Sequence, residues 1–151
     1  MKNKKNLLMM LGFVLTVVLC GTLLAACGGV GLNAEFKAAT TGTGATPARI
    51  EASFSGKKPE STTTGTQYTV IIIEKKTAAV VEADFAVTAN VVSITWDTAG
   101  KKATVTKNVT QPAHDATAAA VYTVAVMSKD GSKVNIATKD VTVPKAAAPA
   151  A

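Results

Sequence analysis

The sequence is poor in the side chains from which catalytic and metal sites are usually built. It contains two cysteines and one histidine among 151 residues. Two cysteines cannot form a disulfide framework, and with a single histidine they nearly exclude a zinc site made of Cys and His. No glycine-rich loop has the spacing that binds phosphate. We therefore expect no metal and no cofactor.

Aromatic and charged residues are also scarce, at 5% and 17% of the chain. No basic face interleaved with aromatic residues is indicated, so a DNA or RNA interface is not expected. The net charge is +6, but Lys2, Lys4 and Lys5 lie in a segment that we expect to be removed. Without them, 13 of the 16 basic side chains remain beside 10 acidic ones. This small excess does not indicate a polyanionic partner.

The few reactive side chains give no sign of a catalytic arrangement. His114 lies in a Pro/Ala stretch beside Asp115, without a serine motif, and is interpreted as a solvated loop residue. Glu82 and Asp84 stand two residues apart on one face of a predicted strand, where they could hold a cation. A solvated polar face is the simpler interpretation of that pair. The protein is therefore expected not to be an enzyme.

The N-terminus has the layout of a secretory signal. Three lysines within the first five residues precede an almost wholly apolar run over residues 7–24, and no charged residue occurs between residues 6 and 34. A basic start, an apolar run and then small residues are typical of a signal peptide. The run is long for one, so an uncleaved membrane-spanning anchor is the alternative.

The residues that end this run favour cleavage. Leu24, Ala25, Ala26 and Cys27 resemble the lipobox of bacterial lipoproteins, in which Leu, two small residues and Cys mark the cut. The resemblance implies that the signal peptidase recognises Leu24, Ala25 and Ala26, and that Cys27 carries a diacylglycerol thioether. The signal peptide would then comprise residues 1–26.

Lipid on Cys27 would make the membrane the first partner of the protein. Two or three acyl chains hold a protein stably, whereas one holds it marginally. Cys20 is a weaker lipidation site, because the large Leu19 precedes it. In lipoproteins of two-membraned bacteria, Asp after the lipidated cysteine commonly signals retention in the inner membrane. Gly28 at this position favours the outer membrane or the cell surface, with a periplasm-facing location as the alternative.

Two segments of low complexity flank the predicted domain. Residues 27–47 include Gly-rich and Thr/Gly-rich stretches that bury too little apolar surface to become ordered, so a flexible tether is expected. A short helical turn over residues 34–39 is the alternative within it. Residues 145–151 are rich in Ala and Pro and are expected to form a frayed tail.

Between residues 48 and 144, apolar and polar residues alternate in short runs. An alternation with period two indicates half-buried strands. The predicted strands lie at residues 49–55, 68–74, 81–88, 92–96, 103–106, 120–127 and 134–143. Residues 97–100 and the pair Asp130-Gly131 are hairpin signals, because Gly accepts a positive φ.

About seven short strands without a convincing amphipathic helix predict an all-β protein, an immunoglobulin-like β-sandwich over residues 48–144. A domain of about 100 residues can rest on its core without disulfides. The Cys-Trp-Cys signature of antibody domains is missing. The expected core comprises Ile50, Phe54, Tyr68, Val70, Ile72, Phe85, Val87, Ile94, Trp96, Val105, Tyr122, Val124 and Val141.

Several of these segments resemble the bacterial Ig-like domains of surface-layer and adhesive proteins. The shared features are F-x-V at residues 85–87, a G-K-x-h-T-h-T strand at 100–106 (h is apolar), Y-T-V-x-V at 122–126 and the Asp130-Gly131 hairpin. The match covers roughly residues 81–143, and the first third of the domain departs from it. The resemblance implies a spacer, a structural module or an adhesive tip, without shared catalytic residues.

Trp96 is the candidate binding residue, because it ends a predicted strand as either a lid on the core or an exposed platform. The sequence thus predicts a lipid-anchored cell-envelope protein whose Ig-like domain has a structural or adhesive role toward a protein or glycan at the cell surface. The alternative is a small ligand-binding or accessory lipoprotein that serves a membrane or envelope complex. An exposed apolar patch, or a pocket near Trp96, would favour it.

Overall fold

The computed structural model describes residues 30–40 and 43–147, and this part of the chain is built mainly from strands. The predicted signal segment, with Leu24, Ala25, Ala26 and Cys27, lies outside the described residues. The strands are β1 (Asn33–Lys37), β2 (Arg49–Ser55), β3 (Gln67–Glu74), β4 (Thr95–Trp96), β5 (Lys102–Asn108), β6 (Ala120–Asp130) and β7 (Lys133–Val143). Two short 3-10 helices, Glu82–Ala86 and Thr88–Asn90, lie between β3 and β4.

The strands form two antiparallel sheets. One has the order β1-β2-β5-β4 and the other the order β3-β6-β7. Lettered along the chain, these are the ABED and CFG sheets of an immunoglobulin constant-type domain. The predicted all-β sandwich of immunoglobulin type is therefore confirmed.

The main core lies between the inner faces of the two sheets. Phe54 and Ile50 of β2 are completely buried, and they pack in one cluster with Val70 and Ile72 of β3 and with Val124 of β6. Most of the expected core residues are in this cluster, some of them only partly buried. Val87 is an exception, since half of its surface is exposed.

The free edge of β3 is partly covered by two other segments. The backbone N–H of Val92 donates to the carbonyl of Val70 at 2.9 Å. The Nζ of Lys107, on the opposite sheet, donates to the carbonyl of Ile72 at 2.6 Å. Such contacts satisfy backbone groups that an edge strand would otherwise offer to another chain.

The predicted tether needs a correction, because the sandwich begins inside it. Residues 33–37 form β1, which pairs with β2 in the register Ala34 to Ala52 and Phe36 to Ile50. Leu32, Ala34 and Phe36 are partly buried against the main core. Their alternation with polar neighbours is a strand pattern, and its burial outweighs the flexible composition on either side.

The strand predicted at residues 81–88 is wrong, because the chain forms a 3-10 helix at Glu82–Ala86. The Asp84 carboxylate accepts the backbone N–H of Val81 at 2.8 Å, and the Asp84 N–H donates to the Val81 carbonyl at 3.0 Å. Such local bonds occupy groups that a strand would use for pairing. Of the four apolar residues that alternate here, Phe85 alone is fully buried.

Both predicted hairpin turns are present. Asp97 Oδ1 accepts the N–H of Lys101 at 2.8 Å, and Gly100 has a φ of +65°. The turn between β6 and β7 has Gly131 at a φ of +57°. The strand predicted at residues 92–96 is shorter than expected and comprises Thr95–Trp96.

Replacing Phe36 tests whether β1 belongs to the folded domain. We expect Phe36→Ala to lower the free energy of unfolding by about 1–3 kcal/mol, since it removes a ring packed on the core. Glu35→Ala, at an exposed position of the same strand, should change it by less than about 0.5 kcal/mol. Urea denaturation followed by circular dichroism measures both. Equal stability of Phe36→Ala and the wild type would mean that β1 is not an integral strand.

Candidate binding surface

Trp96 lies in a cluster of three aromatic rings between the sheets. Its ring centroid is 5.8 Å from that of Phe54 and 5.4 Å from that of Tyr68, both with edge-to-face geometry. Phe54 and Tyr68 are themselves 5.4 Å apart. Rings at these distances and tilts attract one another beyond the area that they bury. Trp96 is partly buried and covers the fully buried Phe54, so its contacts are those of a lid.

The outer face of the three-stranded sheet carries a second, smaller core. Ile71 of β3 and Ala125 of β6 are fully buried there, and Phe85 packs on both. Phe85 belongs to residues 75–91, which we call the covering segment. This segment leaves β3 and crosses the outer face before the chain returns to the other sheet.

The covering segment exposes large apolar side chains. Val81, Val87 and Val91 are 53%, 50% and 41% exposed. Val81 and Val87 flank the 3-10 helix that presents Phe85 to the sheet. Among the described residues these are the exposed large hydrophobic side chains, and all three belong to this one segment.

The predicted carboxylate pair Glu82 and Asp84 does not form a cation site. Glu82 pairs with Lys129 at 3.1 Å, and Asp84 pairs with Lys76. The hydrogen bond from Lys76, together with that from the Val81 N–H, lowers the pKa of Asp84 below its ordinary value of 3.8. Within residues 30–40 and 43–147, no group of three His, Cys, Asp or Glu side chains could hold a metal.

An open groove of about 440 Å³ runs beside the covering segment. Residues 75–80 form one wall, and Thr123, Ile136, Thr138 and Asp140 of β6 and β7 form the other. Asp140 accepts the hydroxyl of Thr123 at 2.8 Å and pairs with Lys75 at 2.6 Å. The bond from Lys75 is the main cause of the lowered pKa of Asp140. The lining of the groove thus combines aliphatic side chains, Val80 and Ile136 among them, with the ion pair of Lys75 and Asp140.

His114 is exposed in a turn between β5 and β6, where the N–H of Ala116 donates to the carbonyl of Ala113 at 3.1 Å. The sequence interpretation of His114 as a loop residue agrees with this position. The exposed valines and the bond from Lys107 to β3 were not predicted. Neither could be read from local alternation, because both depend on how the covering segment and the two sheets meet.

The structure contains no helix, within the residues that it describes, of the length and hydropathy required to cross a membrane.

Replacing Trp96 separates a lid from a binding platform. We expect Trp96→Ala to lower the free energy of unfolding by about 2–3 kcal/mol, because two neighbouring rings lose their packing partner. Val87→Ala is the control and should change it by less than about 0.5 kcal/mol, since Val87 is half exposed. Chemical denaturation followed by far-ultraviolet circular dichroism gives both values. An unchanged stability in Trp96→Ala would contradict the lid.

No protein-family model matches the chain, and neither a curated protein nor a solved structure matches it significantly.

Proposed function

We propose that the protein is a lipid-anchored cell-envelope protein that presents a non-catalytic immunoglobulin-like domain in a structural or adhesive role. The anchor is the lipid on Cys27, added after recognition of Leu24, Ala25 and Ala26. The membrane is one partner, and a protein or glycan at the cell surface is the other. The observation that carries the proposal is a compact sandwich that begins directly after a lipobox-like sequence.

The way in which the domain uses its charged groups supports a non-catalytic role. The carboxylates with a lowered pKa are engaged in structural contacts: Asp84 with Lys76, Asp140 with Lys75, and Asp97 with backbone N–H groups of its turn. A general acid or base needs a pKa close to the working pH, and these shifts move away from it. All three lowered pKa values are thus explained by contacts that hold the folded domain together.

A second candidate function is an accessory lipoprotein that serves a membrane or envelope complex. The exposed Val81, Val87 and Val91 favour it, because valines at this exposure are suited to burial against a partner protein. The groove between the covering segment and β7 offers a neighbouring surface with both polar and aliphatic side chains. This candidate shares the lipid anchor with the first and differs from it in the partner.

Metabolic labelling with an alkyne-bearing fatty acid tests the anchor. The wild-type chain should incorporate the label, and Cys27→Ala should lose it completely, because Cys27 is the residue proposed to carry the lipid. Cys20→Ser is the matched control and should be labelled like the wild type. Labelling of Cys27→Ala, or its loss in Cys20→Ser, would contradict lipidation at Cys27.

Protease treatment of intact cells distinguishes the two candidate functions. In an adhesive role the domain must be reachable from outside, so an epitope placed after Ala151 should be lost when whole cells are treated with trypsin. A protein confined to the cell interior serves as the control and should stay intact. If the epitope survives in whole cells and is lost after lysis, the adhesive role is wrong and the accessory role is favoured.

A further inference from the structure

The chain enters the sandwich at the end where three of its loops meet. The N–H of Ser55 donates to the carbonyl of Val30 at 2.9 Å, and the N–H of Lys58 donates to the carbonyl of Gly100 at 2.8 Å. These bonds join the entry point to the loop between β2 and β3 and to the turn between β4 and β5. The turn between β6 and β7 is at the same end, because Lys129 near the end of β6 pairs with Gln67 at the start of β3. We call this end of the sandwich the loop end.

Covalent geometry keeps the loop end close to the proposed anchor. Val30 is three residues after Cys27. An extended chain spans at most about 3.6 Å per residue, so the two Cα atoms lie within about 11 Å of each other. The domain is about 35 Å long, judged from the 11 residues of β6. With a link this short, the loop end is the part of the domain that adjoins the membrane.

Lysines without a partner are concentrated at this same end. The loop end carries six lysines: Lys57, Lys58, Lys101, Lys102, Lys129 and Lys133. Lys57 and Lys129 pair with Glu60 and Glu82. Within the described residues, the side chains of the other four make neither an ion pair nor a hydrogen bond.

The basic side chains elsewhere in the domain are all engaged. Each of the seven contacts an acceptor: Lys37 with Glu35, Arg49 with Glu51, Lys75 with Asp140, Lys76 with Asp84, Lys107 with the Ile72 carbonyl, Lys139 with Asn33, and Lys145 with the Ala116 carbonyl. The available positive charge of the domain is therefore on the side from which the chain arrives.

We propose that the loop end is a docking surface for anionic phospholipid headgroups of the membrane that holds Cys27. The inference rests on the lipid anchor of the proposed function and adds an orientation to it. Lys58, Lys101, Lys102 and Lys133 contact the headgroups, while Asp97 and Asp130 at the same end leave a local excess of positive charge. A lipid anchor combined with a basic surface holds a protein more firmly than either alone.

Fluorescence energy transfer in proteoliposomes tests this orientation. The mature lipidated protein has no free thiol under the proposal, so one introduced cysteine takes the donor dye. Ser132→Cys labels the turn between β6 and β7 at the loop end, and Thr117→Cys labels the opposite end. The acceptor is a rhodamine-labelled lipid in vesicles of phosphatidylcholine with or without phosphatidylglycerol. With phosphatidylglycerol present, we expect roughly twofold more transfer from position 132 than from 117, since about 35 Å of strand separates them.

This difference should depend on the charge of both surfaces. It should shrink in phosphatidylcholine alone and in 1 M salt, where the Debye length is about 3 Å. The double variant Lys58→Gln and Lys133→Gln should also reduce it. Lys37→Gln with Lys145→Gln removes the same charge from the other end and should leave it unchanged. A urea midpoint for each variant shows that the fold is retained.

The outcomes separate this inference from the anchor itself. If the wild-type protein does not float with the vesicles, the lipid anchor of the proposed function is wrong. If it floats but positions 132 and 117 give equal transfer, the docking surface is wrong. A difference of unchanged size without phosphatidylglycerol, or in the loop-end variant, would also overturn the role of the lysines, because the short link alone would then account for it.

Discussion

Val70, Ile71 and Ile72 are consecutive residues of one strand, and all three are fully buried. Because neighbouring residues of a strand point to opposite faces, β3 has to be covered on both sides. The opposite sheet covers Val70 and Ile72, and Phe85 covers Ile71. The need to bury Ile71 draws the covering segment across the outer face. This places its valines at the surface, Glu82 beside Lys129 of β6, and Asp84 beside Lys76 of the same segment.

The same requirement explains where sequence interpretation succeeds and where it ends. Alternation identified β2, β5 and β7, because each has one face on the core and a more exposed face opposite it. The centre of β6 is buried on both faces, although its apolar run was also recognised as a strand. Val81, Ala83, Phe85 and Val87 show the same alternation without forming a strand. The 3-10 helix here buries one ring, that of Phe85, and is held by the local hydrogen bonds of Asp84. Its sequence shows the same alternation as a strand. An alternation with period two shows which residues are apolar, but it does not show which surface of the fold they bury.

β1 was not predicted, because its alternation is short and weak. Its alternating residues Leu32, Ala34 and Phe36 are few and lie among Gly and Thr residues that indicate flexibility. Their burial depends on β2, a partner that local composition does not reveal. The candidate site shows the same limit: a strand-end Trp96 could be predicted, but its packing on Phe54 and Tyr68 depends on how the two sheets meet. Residues whose role is local were predictable, and residues whose role depends on a distant element were not.

The position of β1 close to Cys27 also changes how the positive charge of the domain is interpreted. Averaged over the chain after residue 26, an excess of three positive charges indicates no partner. Once contacts inside the domain are considered, the unpartnered lysines lie at the end where the chain enters, and a short link brings that end to the proposed membrane. Trp96, which ends β4 next to the turn at residues 97–100, is on this side as well. A second partner therefore has access to the outer faces of the two sheets and to the far end. The exposed valines of the covering segment are on the outer face of the three-stranded sheet, so they are better placed than Trp96 to contact such a partner.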